Sequence, residues 1–166
     1  ERMNRGYTRE EYINKANMLL KMVPGCVLST DLIVGFPGET EAQFQETLSL
    51  LDEVPYESLY AFKYSPRPFT KAAKFADQVD EEAKSDRLTR LLAKHREIAF
   101  GLAKKYEGQT LRVLIEEYHE KNKGLFGRST QNKSVHIENG KPEMVGQTLA
   151  VKINKAYPST LHGELV

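Results

Sequence analysis

The chain has 166 residues, enough for one ordinary domain or one domain with a small second module, but not for two large cores. Its 24 Lys+Arg stand against 23 Asp+Glu for a net charge of +1, which excludes a basic nucleic-acid tail and an acidic solvating chain; nucleic-acid contact has to come from a local patch. A hydrophobic content of 40%, no apolar run near the roughly 18 residues of a membrane span and no signal-peptide pattern predict a folded cytoplasmic protein. The single cysteine, Cys26, excludes an internal disulfide, a self-contained iron–sulfur cluster and a multi-cysteine zinc site.

The opening Glu1 to Tyr7 reads as the middle of a longer protein, with Met3 internal. Thr8 and Glu11 have capping-box spacing, and Ile13, Ala16, Leu19, Leu20 and Val23 recur at helical intervals until Pro24 and Gly25 stop them. The apolar, β-branched run Cys26 to Val34 lacks clean alternation and predicts a parallel strand covered on both faces. It ends in Gly35-Phe36-Pro37-Gly38-Glu39-Thr40. Thr40 with Gln43 repeats the capping-box spacing, and Phe44, Leu48 and Leu51 form the inward stripe of a second helix closed by Pro55. Glu57 to Tyr64 reads as a second strand, entering Ser65-Pro66-Arg67-Pro68. Helix, strand, helix, strand implies part of an α/β unit with parallel strands.

Asp80 is placed to cap a long helix with Leu88, Leu91, Leu92, Ile98, Ala99 and Leu102 as its buried stripe, ending near Tyr106 to Gly108. Short strands follow at Leu111–Tyr118, Ser134–Glu138, Thr148–Ala156 and Leu161–Leu165, with glycine-bearing turns at Gly124, Gly127, Gly140 and Gly146. They predict a small antiparallel β-barrel. The domain boundary is placed at 105/106, where helical periodicity stops. Residues 106–166 carry eight Lys/Arg and seven Asp/Glu, so bulk charge does not separate the two parts. Locally, Lys121, Lys123, Arg128 and Lys133 surround Phe126 with no acid between Lys121 and Lys133, a pattern open to phosphate contact and base stacking or to a solvated turn.

Gly35 and Gly38, directly after a strand, let backbone amides approach a ligand at the strand's carboxyl end, or simply make a tight strand-to-helix turn. The segment is neither a Walker A loop nor a dinucleotide-binding GxGxxG. Asp31, inside an apolar strand, is either a structural acceptor or a site residue. Arg67, fixed between two prolines past a strand end, suits recognition of a carboxylate or phosphate, or is a surface arginine in a rigid loop. His95, His119, His136 and His162 lack metal-binding spacing and are assigned to core or surface; Cys26 is assigned as a small buried hydrophobe. No nucleophile with a neighbouring base can be assembled.

Three blocks, Met3-Asn4-Arg5-Gly6-Tyr7-Thr8, Ser29-Thr30-Asp31-Leu32-Ile33-Val34-Gly35-Phe36-Pro37-Gly38-Glu39-Thr40 and Phe62-Lys63-Tyr64-Ser65-Pro66-Arg67-Pro68, resemble the radical S-adenosylmethionine methylthiotransferases in order and spacing. The tail from Gly108 to Val166 is similar to the TRAM domain that ends those enzymes. Ser129-Thr130-Gln131-Asn132-Lys133-Ser134, after Gly127-Arg128, is similar to the MiaB type, which acts on tRNA, rather than to the type that modifies a ribosomal protein. The resemblance implies residues 1–105 as the C-terminal part of a TIM-like radical barrel and 106–166 as the TRAM domain. It implies methylthiolation at C2 of an adenosine beside the anticodon, usually isopentenylated, with S-adenosylmethionine and two 4Fe-4S clusters as cofactors.

The same resemblance implies that Ile33, Gly35, Glu39, Phe62 and Ser65 border the cofactor, and that Arg5, Asp31 and Arg67 face the barrel opening toward cofactor or substrate. In the tail, Phe126, Arg128, Asn132 and Lys133 are assigned to RNA, Phe126 as a stacking face and Lys133 with the alternative of an exposed lysine that touches none. The family's CxxxCxxC loop and three further cluster cysteines have no counterpart beyond Cys26, so the chain is expected to be catalytically inactive alone. It is expected to work with an N-terminal part of the same polypeptide, with no catalytic residue or metal ligand of its own. Expected partners are tRNA and, through apolar faces of a part-barrel, further copies of itself, with no membrane. A stand-alone RNA-binding module is the competing reading. It leaves the Gly-Phe-Pro-Gly-Glu edge and the Ser-Pro-Arg-Pro loop without a purpose.

Overall fold

A computed structural model describes residues 2–121 and 123–166. The chain divides into two compact units, one up to Ile98 and one from Ala99 to Val166, each with its own apolar core.

The first unit opens with helix α1 (Arg9–Met22), preceded by the expected capping box: the Glu11 amide donates to Thr8 Oγ1 at 3.2 Å and the Thr8 amide to Glu11 Oε2 at 2.9 Å. Strand β1 (Leu28–Val34) follows, then α2 (Glu41–Glu53), capped in the same way by Thr40 and Gln43, then β2 (Tyr56–Lys63). The two strands run parallel, pairing Asp31 with Tyr60 and Ile33 with Phe62. Helix α3 (Glu81–Ala103) is capped by Asp80, whose Oδ1 accepts from the Ala83 amide at 2.8 Å. Val34, Phe44, Leu51, Val54, Tyr56 and Leu91 are at most 2% exposed and form the core between sheet and helices.

One expectation is corrected. β1 is not covered on both faces: its residues alternate between partly buried and exposed up to Val34, leaving Ser29, Asp31 and Ile33 open. The sequence obscured this because Thr30 occupies a helix-facing position and apolar Ile33 the open one. Two faces of a strand can be covered only if layers exist on both sides, and here the helices lie on one.

The second unit is a closed five-stranded barrel of β3 (Thr110–His119), β4 (Gly124–Ser129), β5 (Ser134–Ile137), β6 (Thr148–Ala156) and β7 (Thr160–Leu165), ordered β3-β4-β5-β7-β6. All neighbours are antiparallel except β5 and β7, which are parallel. Closure removes exposed strand edges, and bulges at Ile115/Glu117 and Ile153/Lys155 bend the strands to achieve it. Val113, Ile115, Leu125, Val135, Ile137, Val151, Ile153 and Leu161 fill the interior at 0–1% exposure.

β4 falls where the glycines at 124 and 127 read as turns. Gly127 is instead a strand residue whose added Cβ would collide with the Leu114 carbonyl oxygen of β3. Its lack of a side chain allows two strands to approach at a tight corner, a role that local composition does not distinguish from a turn.

Candidate functional site

In the first unit the candidate residues gather at two places. The open face of the sheet carries Asp31, Ile33, Tyr60 and Phe62 in adjacent register, with Ile33 37%, Tyr60 57% and Phe62 56% exposed. This is an apolar and aromatic surface with one carboxylate on it. Tyr60 was not anticipated. Its alternation with Phe62 was the available signal, masked by the continuous apolar run around it.

At the carboxyl end of β1, the turn Gly35 to Thr40 is braced from inside. Gly35 adopts φ +71° and its amide donates to Glu39 Oε2 at 2.5 Å. The same carboxylate oxygen accepts from Arg87 of α3 at 2.9 Å, and Arg87 also donates to the Glu39 carbonyl at 3.0 Å. Arg87 and Glu39 side chains are only 9% and 12% exposed. A nearly buried pair of this kind is favourable only when its remaining hydrogen-bonding capacity is filled, and the Gly35 amide and Glu39 carbonyl do that here. Glu39 is thus committed to the shape of the turn. Gly38 is held from the other side, its amide donating to the Asp77 carbonyl at 2.7 Å, while Arg2 pairs with Asp77 at 2.7 Å and lies over Phe75. The Arg2 guanidinium keeps the Asp77 carboxyl below its ordinary range.

Past β2, Phe62, Ser65 and Pro66 line a shallow groove of about 440 Å³ together with Lys84 and Leu88 of α3. Lys84 is 7% exposed, sits over the Tyr64 ring and packs so closely on Gly35 that a Cβ there would strike its side chain. The Tyr64 hydroxyl is buried without a hydrogen-bond partner. Lys84 and Arg87 share the inward face with Leu88 and Leu91; neither is singled out by the sequence reading, and the available signal was two cations in register with that apolar stripe. Arg5 lies exposed before α1 and Arg67 exposed in the loop after β2; among the described residues no contact draws either to the turn or to the open face.

In the barrel, Phe126 and Arg128 lie on β4, where a turn was expected, and Asn132 and Lys133 in the hairpin that follows. Asn132 takes φ +60°, and Ser129 Oγ accepts from the amides of Gln131 and Lys133 at 3.2 and 3.3 Å. Arg128 reaches Asn132 Oδ1 at 3.3 Å and Glu116 at 3.5 Å, which holds its guanidinium at the surface. Lys133, by contrast, is 6% exposed, so it does not share that open surface.

Three of the four histidines converge on this side of the barrel. Ring centroids are 4.3 Å apart for His119 and Phe126, 4.6 Å for Phe126 and His136, 4.8 Å for His136 and His162, and 4.8 Å for His162 and Tyr157. Strand register makes the cluster, because Phe126 pairs with His136 and His136 with His162. Spacing along the chain carries no trace of it. Burial, and then the neighbouring His136, hold the His162 imidazolium below its ordinary range.

Among the described residues no group of three His, Cys, Asp or Glu could hold a metal ion, and no helix is long and apolar enough to cross a membrane. Cys26 is half-buried and is the one thiol of the chain. The residues present therefore do not fit a 4Fe-4S cluster, which takes three or more thiolates.

Comparison with known proteins places both units. Residues 104–166 match the TRAM domain family. Over all 166 residues the chain is 51% identical to the tRNA-2-methylthio-N(6)-dimethylallyladenosine synthase of Bdellovibrio bacteriovorus, and over 163 residues 46% identical to that of Campylobacter curvus. The chain belongs to this methylthiotransferase family. It matches a C-terminal part of the family's proteins, spanning 36% of the Bdellovibrio synthase and 37% of the Aquifex aeolicus one, to which it is 44% identical. Within this methylthiotransferase segment the barrel is the TRAM domain, and the open β1/β2 face and braced turn lie in the part that precedes it.

Proposed function

We propose that the chain acts as the C-terminal part of a radical S-adenosylmethionine tRNA methylthiotransferase, with residues 1–105 contributing to the radical barrel and 106–166 holding tRNA. The match of all 166 residues at 51% identity to a tRNA-2-methylthio-N(6)-dimethylallyladenosine synthase carries this reading. The reaction adds a methylthio group at C2 of the N6-modified adenosine, in the cytoplasm. The clusters and S-adenosylmethionine supply the radical and the methyl group when bound, and the cluster thiolates come from outside these 166 residues.

This chain's own residues bind and orient. Ile33, Tyr60 and Phe62 give apolar surface for a flat ring of the cofactor or the target adenosine, and Asp31 gives an exposed acceptor for a hydroxyl or amine. Gly35 and Glu39 shape the strand end, Ser65 borders the adjoining groove, and Arg5 and Arg67 are free to meet phosphate or carboxylate on the solvent side. In the barrel Arg128, positioned by Asn132 and Glu116, contacts phosphate.

Binding of a tRNA transcript by the purified chain tests the reading. We expect salt-sensitive retention in a gel shift, weakened about tenfold by Arg128→Ala, and no methylthiolated nucleoside after anaerobic iron and sulfide reconstitution. Failure to retain tRNA at low salt, or methylthiolation by the chain alone, overturns it.

A further inference from the structure

The ring contacts of the barrel form one unbroken strip from His119 through Phe126, His136 and His162 to Tyr157. Aromatic side chains in a small barrel are ordinarily turned inward, where each buries 150–250 Å² or about that. Here the fully buried strand positions are aliphatic, with Tyr106 entering the core from before β3, and the strip's rings stand on the outer surface, with Phe126, His136 and His162 half-buried and Tyr157 39% exposed. The strip differs from an apolar docking patch in carrying polar ring edges. The Nδ1 atoms of His136 and His162 are 3.5 Å apart, and His136 Nε2 is buried without a partner.

The row beside the strip is also ordered by register. Arg128 pairs with Ser134 and Ser134 with Thr160, directly alongside Phe126, His136 and His162. Residues two apart along a strand are about 7 Å apart on one face, close to the offset between a base and its own phosphate. On the opposite side of the strip lie the carboxylates Glu138 and Glu164, two residues beyond His136 and His162. Lys155, paired with His162 and placed over the Tyr157 ring at 5.2 Å, puts a cation at the far end. Glu116, 3.5 Å from Arg128, offsets part of that charge, and Glu117 pairs with His119 at the near end, so the Arg128, Ser134 and Thr160 flank is close to neutral while the other flank is acidic and disfavours a polyanion.

We infer that this strip is a stacking platform for unpaired RNA bases, with the sugar-phosphate backbone running along Arg128, Ser134 and Thr160. The inference rests on the RNA-holding role proposed above and specifies the face and the form of RNA. Bases in a duplex stack on one another and offer the strip no ring face, so the platform selects looped or single-stranded nucleotides.

The test uses the whole chain with a single-stranded RNA of roughly ten nucleotides carrying 2-aminopurine, and the same strand annealed to its complement. Stacking on the strip quenches 2-aminopurine fluorescence, and the duplex binds at least about tenfold more weakly. Phe126→Leu and His162→Ala each weaken single-strand binding by about tenfold, and His162→Phe, which keeps a ring without the imidazole, retains it. Far-UV circular dichroism confirms that each variant is folded; Phe126→Leu preserves apolar volume, so the test does not depend on His162→Ala folding. Variants that bind within about twofold of the parent while Arg128→Ala binds weakly overturn the platform and leave the RNA-holding role standing. Loss of all RNA binding by the parent overturns both, leaving the strip as a protein-docking face.

Discussion

Glu39 illustrates how one side chain can shape the end of a strand. Its carboxylate holds the Gly35 amide and Arg87 together in a nearly closed environment, and so sets where the end of β1 points. Removing it strips the nearly buried Arg87 guanidinium of its nearest carboxylate and leaves it the Glu39 carbonyl and, at 3.8 Å, Glu41. We expect Glu39→Ala to cost about 2 kcal/mol in urea unfolding, with Glu39→Gln losing less because it can still accept from the Gly35 amide. Equal stability of Glu39→Ala and the parent would show that the pair does not brace the turn. His162 makes a second, opposite point, since burial and the adjacent His136 disfavour its charged form. Glu138 partly restores that form, while Lys155 opposes it. With its folded value below its unfolded value, the unfolded chain binds the extra proton, so the barrel loses stability as pH falls through the ordinary histidine range near 6.5. Thermal melts of the parent from pH 7.5 to 5.5 should show that fall, and His162→Phe should flatten it. A profile unchanged by the substitution would assign the dependence elsewhere.

β1 and β2 form a two-stranded parallel sheet with helices on one face and open rings on the other. Such a sheet ordinarily has both faces covered, so the open face is a surface that another layer or another copy can occupy. The polar residues Ser29, Asp31 and Ser58 interrupt it, but Tyr60 and Phe62 dominate the exposed area. We expect the chain to self-associate at high concentration through this face and Phe62→Glu with Tyr60→Lys to shift light scattering toward the monomer. An unchanged distribution would place any association elsewhere. The braced turn was readable in outline, because a strand followed by Gly-Phe-Pro-Gly and a capping box specifies a strand-turn-helix junction. The strand's open face was not, because hydrophobicity along β1 reports how apolar the residues are and not how many layers surround them.

Each unit encloses its own core, the first ending at Ile98 and the second beginning at Ala99. The barrel closes on itself through five strands, leaving no edge that requires the first unit for its hydrogen bonds. A segment covering residues 99–166 should therefore fold alone, with a single cooperative thermal transition by circular dichroism. A non-cooperative melt would mean that the barrel's stability depends on the preceding residues.

Helix positions, both capping boxes, the parallel pair and the presence of a small barrel followed from the sequence, because caps, periodicity and turn residues act within a few positions of one another. The barrel's fifth strand did not, since Gly127 owes its identity to a carbonyl of β3 brought close only by pairing. The same separation runs through the candidate sites. Arg128 and Asn132 stand near one another in the chain and also touch in the fold, whereas Lys133 is turned into a buried position by its hairpin. His119, His136, His162 and Tyr157 are scattered along the chain, and strand register alone assembles them with Phe126 into a strip. Local chemistry thus determined the elements and the kind of groups available. Tertiary pairing decided which of those groups share a surface, because cross-strand neighbours are set by closure of the barrel and not by distance along the chain.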